Sequence, residues 1–330
     1  MRVAVLFEAP CPAARVDERD VEAQVRAVSA ALVDRGACVT PLPVTLDLDA
    51  TRRALARLEP DLCFNLVESL GRMARLIHVV PALLEGLGVA FTGAGAAAML
   101  LSSSKLLTKR CLRDAGLPTP DWIEASPEPP TASPSAAVEP GTYLIKPVWE
   151  DASVGIDDSA LVRVRTLAEL TEAVRARAAL LGTEVFAERF IEGRELNLSL
   201  LASPGGVAVL PPAEILFEEF PPGKPRLVGY AAKWDSDSFE YTHTPRTFEM
   251  REDDAPLLCE LARIARQCFA QLGLRGYGRV DFRVDRHGLP WVLEVNANPC
   301  LSPDAGFAAA AERAGLDHRE VVARICADSH

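Results

Sequence analysis

The stretch RVDFRVDRHGLPWVLEVNANP (279–299) carries two runs of alternating side chains around a polar turn. Val280, Phe282 and Val284 alternate with polar residues, as do Leu293 and Val295 on the second run, so each run makes a half-buried strand and the two fold back as a hairpin. With 285–289 as the connection, pairing Asp285 with Pro290 sets Asp281 opposite Glu294 and Arg279 opposite Asn296, all on one face. Carboxylates directly across an antiparallel ladder repel, because their Cβ atoms stand about 5 Å apart. Either that face is solvated, with Arg279 and Arg283 softening the repulsion, or a cation lies between the two acids.

Around this hairpin the chain has an ordinary globular composition: 330 residues, 49% hydrophobic and 25% charged, enough for two or three domains with their own cores. A formal net charge of -11 works against non-specific nucleic-acid binding, which needs a basic surface. Eight cysteines with no C-x-x-C pair and no metal-ligand spacing point to a reduced, cytoplasmic setting. The first residues, MRVAVLF, run straight into a strand pattern with no leader expected ahead of it. The uncharged stretch 86–104 is too rich in glycine and hydroxyl residues for a membrane span.

The first hundred residues alternate strand (3–7), amphipathic helix (20–35), strand at VTPL, strand (62–66) and helix at VVPALLEGLG, a βαβ rhythm that implies a parallel sheet flanked by helices. No G-x-G-x-x-G follows the first strand, so a dinucleotide fold lacks its main signature. Helix is expected from 103 to 116, and the proline-rich stretch 126–141 reads as an extended connector. YLIKPV (143–148) and EVFAERFI (184–191) read as strands of a small antiparallel sheet with a helix over 166–181 between them, and ELNLSLLA as a further strand. Residues 218–246 follow neither period and form a long loop, a length that inside a compact domain usually serves function. A helix follows, with Leu257, Leu258, Leu261, Ile264, Cys268 and Leu272 on one stripe.

Five segments in order, SKLLTKRCLRDAGLPTP, YLIKPVWEDASVGI, AERFIEGRELNLSLL, GYAAKWDSDSFEY and the hairpin with its GRVDF and LEVNANP, resemble the ATP-grasp superfamily and within it the D-alanine–D-alanine ligase family. The resemblance implies an α/β fold with α+β elements: an N-terminal parallel βαβ domain (1–100), then a central subdomain (101–192) and a C-terminal subdomain (193–330) sandwiching ATP. It makes Lys105 and Lys146 phosphate-holding lysines. Glu188, Glu195 and the backbone of Phe190 and Ile191 become the adenine and ribose contacts. Asp281, Glu294 and Asn296 become ligands of two Mg²⁺ ions, Mn²⁺ being an alternative, which resolves the acid pair in favour of a cation. Lys233 becomes the γ-phosphate lysine of a lid at 218–246, and Arg279 the arginine that stabilises a tetrahedral oxyanion. The implied reaction is an ATP-dependent, ADP-forming ligation: a carboxylate becomes an acyl phosphate, and an amine displaces phosphate to form an amide. Small amino acids or peptides are the expected partners, with homodimers by analogy and no nucleic acid or membrane.

The same comparison shows departures. EAPCPAARVDE stands where the family has G-G-x-S-x-E, leaving Asp17 or Glu18 to replace its glutamate. Ala152 and Trp234 replace the serine and tyrosine that bind that glutamate, and Ala305 replaces the serine that holds the second substrate's carboxylate. From these changes the expected substrates are other than D-alanine plus D-alanine, with authentic D-alanine–D-alanine ligation as the alternative, and a non-catalytic nucleotide-binding module from another class. Glu8, Asn65, Glu68, Arg72, Arg75, Cys300 and Ser302 are the candidates for the substrate pocket, with Cys300 as a packed thiol or a nucleophile.

Overall fold

A computed structural model describes residues 1–10, 15–124 and 139–329. The expected connector falls largely on 125–138, outside the described residues.

The N-terminal layer is a parallel sheet of β1 (Arg2–Glu8), β2 (Cys38–Val44) and β3 (Leu62–Asn65) in the order β2-β1-β3. Helices α1 (Val16–Asp34), α2 (Leu48–Leu58) and α3 (Val79–Leu87) provide its crossovers and cover. On α1, Val21, Val25, Val28 and Leu32 repeat at helical spacing and bury against Val3, Val5 and Phe64. The helix starts at Val16, four residues before its expected start (20 − 16), because its first turn holds Asp17 and Glu18. Acidic groups suit a helix N-terminus, but they carry no apolar period to read. Helix α2 is capped by Asp47, whose side chain accepts from the Ala50 N–H, a start signal that sequence reading passed over.

Between 103 and 116 the expected helix is in fact the end of one and the whole of another, α4 (Ala96–Ser103) and α5 (Lys105–Asp114), broken at Ser104, whose side chain caps α5. A four-stranded antiparallel sheet follows: β4 (Trp122–Glu124), β5 (Gly141–Pro147), β6 (Leu161–Val164) and β7 (Val185–Arg189), in the order β4-β7-β5-β6. Its alternation sorts the two faces. Tyr143, Ile145, Val185 and Ala187 pack on α6 (Leu167–Leu181), while Leu144, Lys146, Phe186 and Glu188 take the other face.

The third sheet contains β8 (Gly193–Ser203), β9 (Gly206–Val209), β10 (Ala213–Ile215), β11 (Arg246–Thr247), β12 (Tyr277–Asp285) and β13 (Pro290–Asn296). Its path is β11-β10-β8-β12-β13, with β9 beside β8. Two short helices, α7 (Tyr230–Trp234) and α8 (Phe239–Thr242), interrupt the 218–246 segment that was expected to be loop throughout. Helix α9 (Ala255–Gln271) packs Leu261, Ile264, Ala265 and Cys268 under the sheet against Leu196, Leu198, Val280, Phe282 and Val284. The opposite face of the sheet is polar. Helices α10 (Gly306–Arg313) and α11 (His318–Ala327) return to the first layer, where Phe307, Val321, Val322 and Ile325 share one core with α1.

The hairpin pairs Asp281 with Glu294 and Arg279 with Asn296, the expected pairs, though not by the expected turn. At the turn, however, Val284 and not Asp285 faces Pro290, and the register shifts between Asp281 and Phe282. Leu293 is the extra residue of a β-bulge, so Val292 takes the core face and Leu293 turns into the cleft.

Candidate active site

The polar faces of the second and third sheets look at each other across a cleft, and 218–246 lies over it. A narrow crevice lined by Leu144, Phe190, Ile191, Leu227 and Leu293 opens into a cavity of about 670 Å³ that reaches Glu8, Asp17 and Ser302. Both spaces are lined by Glu195, Lys233, Asp281 and Glu294, so the acid pair stands at their junction.

Four cations surround that junction. Burial alone would raise the Glu294 carboxyl, but Lys105, Lys233, Lys146 and Arg279 pull it well below the usual range. Asp281 goes the other way, raised by burial and by Glu294 against the opposing charge of Arg279. Two adjacent carboxylates dividing one field in this manner share their titration. Arg279 spans Asp281 with Nε and Nη2 at 2.8 and 2.9 Å, a bidentate clasp.

Lys105 opens α5, where its ammonium donates to the Glu150 carbonyl and lies 3.5 Å from Asp151. Lys146 lies 2.5 Å from Glu188. The other Glu188 oxygen is 2.8 Å from Lys109, a buried lysine that sequence reading missed. Glu195 pairs with Arg283 at 2.7 Å, and that guanidinium lies over the Phe190 ring. Lys233, on α7, faces the junction.

The lid is tied down along its length. Tyr230 N–H donates to the Ile156 carbonyl at 3.0 Å, Trp234 Nε1–H to the Ala152 carbonyl at 3.0 Å, and Ser153 O–H to the Val228 carbonyl at 3.0 Å. Tyr230 O–H donates to Asp17 at 2.8 Å, bridging lid to N-terminal layer. The replacements at 17, 152 and 234 therefore still connect these three parts of the cleft. Gly229 makes the approach possible, since a Cβ there would sit 2.7 Å from the Ile156 carbonyl oxygen. Gly229→Ala is expected to lift the lid and lower kcat about tenfold, with near-normal melting, because catalysis tolerates little misplacement. Steady-state kinetics beside a thermal melt checks this; an unchanged kcat would show that lid docking does not limit turnover.

The substrate-pocket candidates divide. Glu8 lines the cavity but is engaged by Ser69 O–H and the Gly71 N–H, both at 2.6 Å, and so holds the 69–71 turn. Arg72 lines it and is tied to Glu18 at 3.1 Å. Asn65 does not belong there: it is buried, and its side chain caps Val67 N–H at 3.2 Å. Arg75 is exposed and lines neither space. Cys300 and Ser302 both donate to Asp20 at 2.8 Å, and burial with Glu68 and Asp20 nearby pushes the thiol up, so Cys300 is a packed donor and not a nucleophile. Asp20 and Gln24 of α1, polar positions that an apolar period does not single out, organise this wall: Gln24 accepts from Leu301 N–H and donates to Glu68.

Burial, with Asp20, Asp151 and Asp17 adding to it against the Gln24 bond, lifts Glu68 to about 7. Between the unfolded value of about 4.5 and 7 the folded chain holds the extra proton, so stability is full below that window and falls as pH rises through it. Glu68→Gln is expected to remove up to about 3 kcal/mol of that loss, less where cleft water reaches the carboxylate. Melting curves at pH 4 and pH 8 test it: the variant should gain at pH 8 and not at pH 4, and an equal change at both would refute the assignment.

Opposed antiparallel sheets with lysines on one, an acid pair on the other and a lid between define an ATP-grasp enzyme. Residues 111–327 match the family described as D-ala D-ala ligase C-terminus. A D-alanine–D-alanine ligase of Chromohalobacter salexigens is 36% identical over 243 residues, covering 73% of this chain and 70% of its own length. That of Methylococcus capsulatus is 33% identical over 266 residues, 80% and 77% of the two chains. A solved D-alanine–D-alanine ligase of Bacillus anthracis complexed with ATP shares the fold, with a TM-score of 0.75 at 20% identity over 99% of this chain and 97% of that one. The chain belongs to the D-alanine–D-alanine ligase family, ATP-dependent, ADP-forming enzymes that make carbon–nitrogen bonds between small amino-acid substrates. The expectation of substrates other than D-alanine plus D-alanine is thereby corrected: relatives at 31–36% identity are D-alanine–D-alanine ligases. Among the described residues no helix is long and apolar enough to cross a membrane.

Proposed function

We propose that this chain is itself a D-alanine–D-alanine ligase, joining two D-alanine molecules with conversion of ATP to ADP. Kinship with ligases of that name over 243 to 266 residues carries the reading. In it, the crevice takes the adenine beside Phe190 and Ile191, Glu188 belongs to the adenine-side network, and Glu195 meets the ribose. Lys105, Lys146 and Lys233 hold the phosphates. Residues 101–192 and 193–330 act as the two jaws and 1–100 as the floor of the substrate cavity.

The acid pair fits a hard cation. Asp281 and Glu294 are cross-strand neighbours, and among the described residues Asn296 Oδ1 accepts one bond, from Asn298 N–H at 3.1 Å, which leaves a lone pair for a cation. Among the described residues no cluster of three or more His, Cys, Asp or Glu has metal-binding geometry; this set is two carboxylates and an amide, oxygen throughout. It suits Mg²⁺, with Mn²⁺ able to substitute, completed by phosphate oxygens and water. Bound Mg-ATP would supply the phosphoryl group that activates the donor carboxylate. The chain's own residues do the rest: Arg279 stabilises the oxyanion formed when the amine attacks, and the lid excludes water from the acyl phosphate. Glu8, Glu68, Arg72, Cys300 and Ser302 form or support the amino-acid end.

ADP release with D-alanine, L-alanine or no amino acid, with the product identified by mass, tests the proposal. D-alanine-dependent ADP and the D-alanyl-D-alanine mass are expected. ATP binding without any dipeptide from D-alanine would overturn it.

A further inference from the structure

We infer that Arg246 is the anchor for the carboxylate of the acceptor amino acid, and so a specificity-determining residue of the ligation. The inference rests on the D-alanine–D-alanine reading and assigns a role to a residue that reading leaves unused. Arg246 lies at the end of the lid segment, on β11, where its backbone pairs with Ile215 at the sheet edge. Its side chain lines the 670 Å³ cavity together with Arg279, Asp304 and Ala305.

Three observations single it out. The guanidinium makes no hydrogen bond or ion pair among the described residues, although Arg279 and Asp304 are near enough to act on it. Most other arginines around the cleft are engaged: Arg15 by Asp17, Arg72 by Glu18, Arg279 by Asp281 and Arg283 by Glu195. Burial and Arg279 both work against the Arg246 charge and only Asp304 offsets them, so a further anion between the two arginines is favoured.

One side of it is closed and the other open. A Cβ at Gly306 would already be in van der Waals contact, 3.5 Å from Arg246 Nη2, so the start of α10 backs the guanidinium and leaves its cavity side free. The α10 cap residue is Ala305, which offers no side-chain cap and no hydroxyl to a ligand. A carboxylate on that cavity side of Arg246, beside the start of α10, would meet a bidentate donor. Its amino group would then point back toward Arg279 and the acid pair, where the amide bond has to form. Arg279 itself cannot serve as readily, since Nε and Nη2 are both committed to Asp281.

Competition between acceptors tests this. The enzyme is given ATP, D-alanine, and D-alaninamide, which has an amine but no carboxylate, and the ratio of D-alanyl-D-alanine to D-alanyl-D-alaninamide is read by mass spectrometry. Wild type is expected to favour the free acid strongly. Arg246→Met should cut that ratio about 10- to 100-fold, the worth of a charge-assisted pair, with KM for ATP unchanged. Arg246→Lys, which keeps the charge but not the fork, should fall between. Because a ratio is read, a variant that is merely less folded loses both products equally and leaves it unmoved. An unchanged ratio in both variants, or a change confined to KM for ATP, overturns the inference while leaving the D-alanine reading standing. A wild-type enzyme that makes no D-alanyl-D-alanine overturns both.

Discussion

Glu294→Gln is expected to lower ADP-forming turnover at least about a thousandfold while the chain still folds. Glu294 sits where crevice and cavity meet, and its charge balances Lys105, Lys233, Lys146 and Arg279 at once. The amide keeps the shape but neither the charge nor the affinity for a hard cation. Charge neutralisation is the main lever in phosphoryl transfer, and several kcal/mol of it correspond to three or more powers of ten in rate. The fold should tolerate the change, because Glu294 is only half-buried on the cleft face of β13, while Val292 and Val295 hold that strand to the core. Asp281→Asn is expected to match it in activity and to free the Arg279 fork. Single-turnover ADP formation, with circular dichroism as the control for folding, measures this. A Glu294→Gln enzyme within tenfold of wild type would remove the acid pair from the chemistry, and with it the metal assignment.

What the sequence made legible followed from periodicity. Alternation placed Arg279, Asp281, Glu294 and Asn296 on one face, the miscounted turn being cancelled by the bulge at Leu293, and the period-2 pattern of β5 placed Lys146 in an apolar run, on the same face as Leu144. The bulge at Leu293 was not legible, because Val292 and Leu293 are both apolar and nothing local says which faces the core. Residues that face a polar cleft were the hardest to read. Asp17, Asp20 and Gln24 have the composition of a solvent face, and only the return of residues 300–302 and of Tyr230 onto α1 reveals them as a wall of the site. Asn65 failed in the other direction: it was a candidate for the substrate pocket, while its side chain serves the turn after β3. The rewritten N-terminal loop pointed to new substrates for a related reason. Substituted residues announce a change of contacts, but not that Tyr230 restores a link to Asp17 from four positions away from Trp234 (234 − 230).

Lys109 shows the same limit at its most consequential, and its removal is expected to be the most destabilising single change in the nucleotide half. In sequence it lies one helical turn after Lys105 and passes for a solvated lysine. In the fold it is 1% exposed, with Nζ donating to Thr119 Oγ1 at 2.9 Å and to the Pro120 carbonyl at 3.1 Å and forming an ion pair with Glu188 at 2.8 Å. Burial pushes this ammonium down, Glu188 pulls it back up, and with Lys146 and Arg113 nearby the balance stays below the ordinary lysine value. Lys109→Met fills the volume but leaves a Glu188 oxygen, a threonine hydroxyl and a carbonyl without their donor. Breaking a buried pair from one side costs about 3–5 kcal/mol, a drop in Tm on the order of 10 °C. Lys146, 2.5 Å from the other oxygen, is then left to balance Glu188 without Lys109 and is drawn away from the phosphates it is proposed to hold, so KM for ATP should rise several-fold. Glu188→Gln should cost less in the Lys109→Met background than in wild type, because one of the two ion pairs it breaks is already gone, and the cycle should show coupling of about 2 kcal/mol or more. A Lys109→Met melt within 1 °C of wild type, or strict additivity with Glu188→Gln, would mean that the buried trio holds neither the fold nor the nucleotide lysine in place.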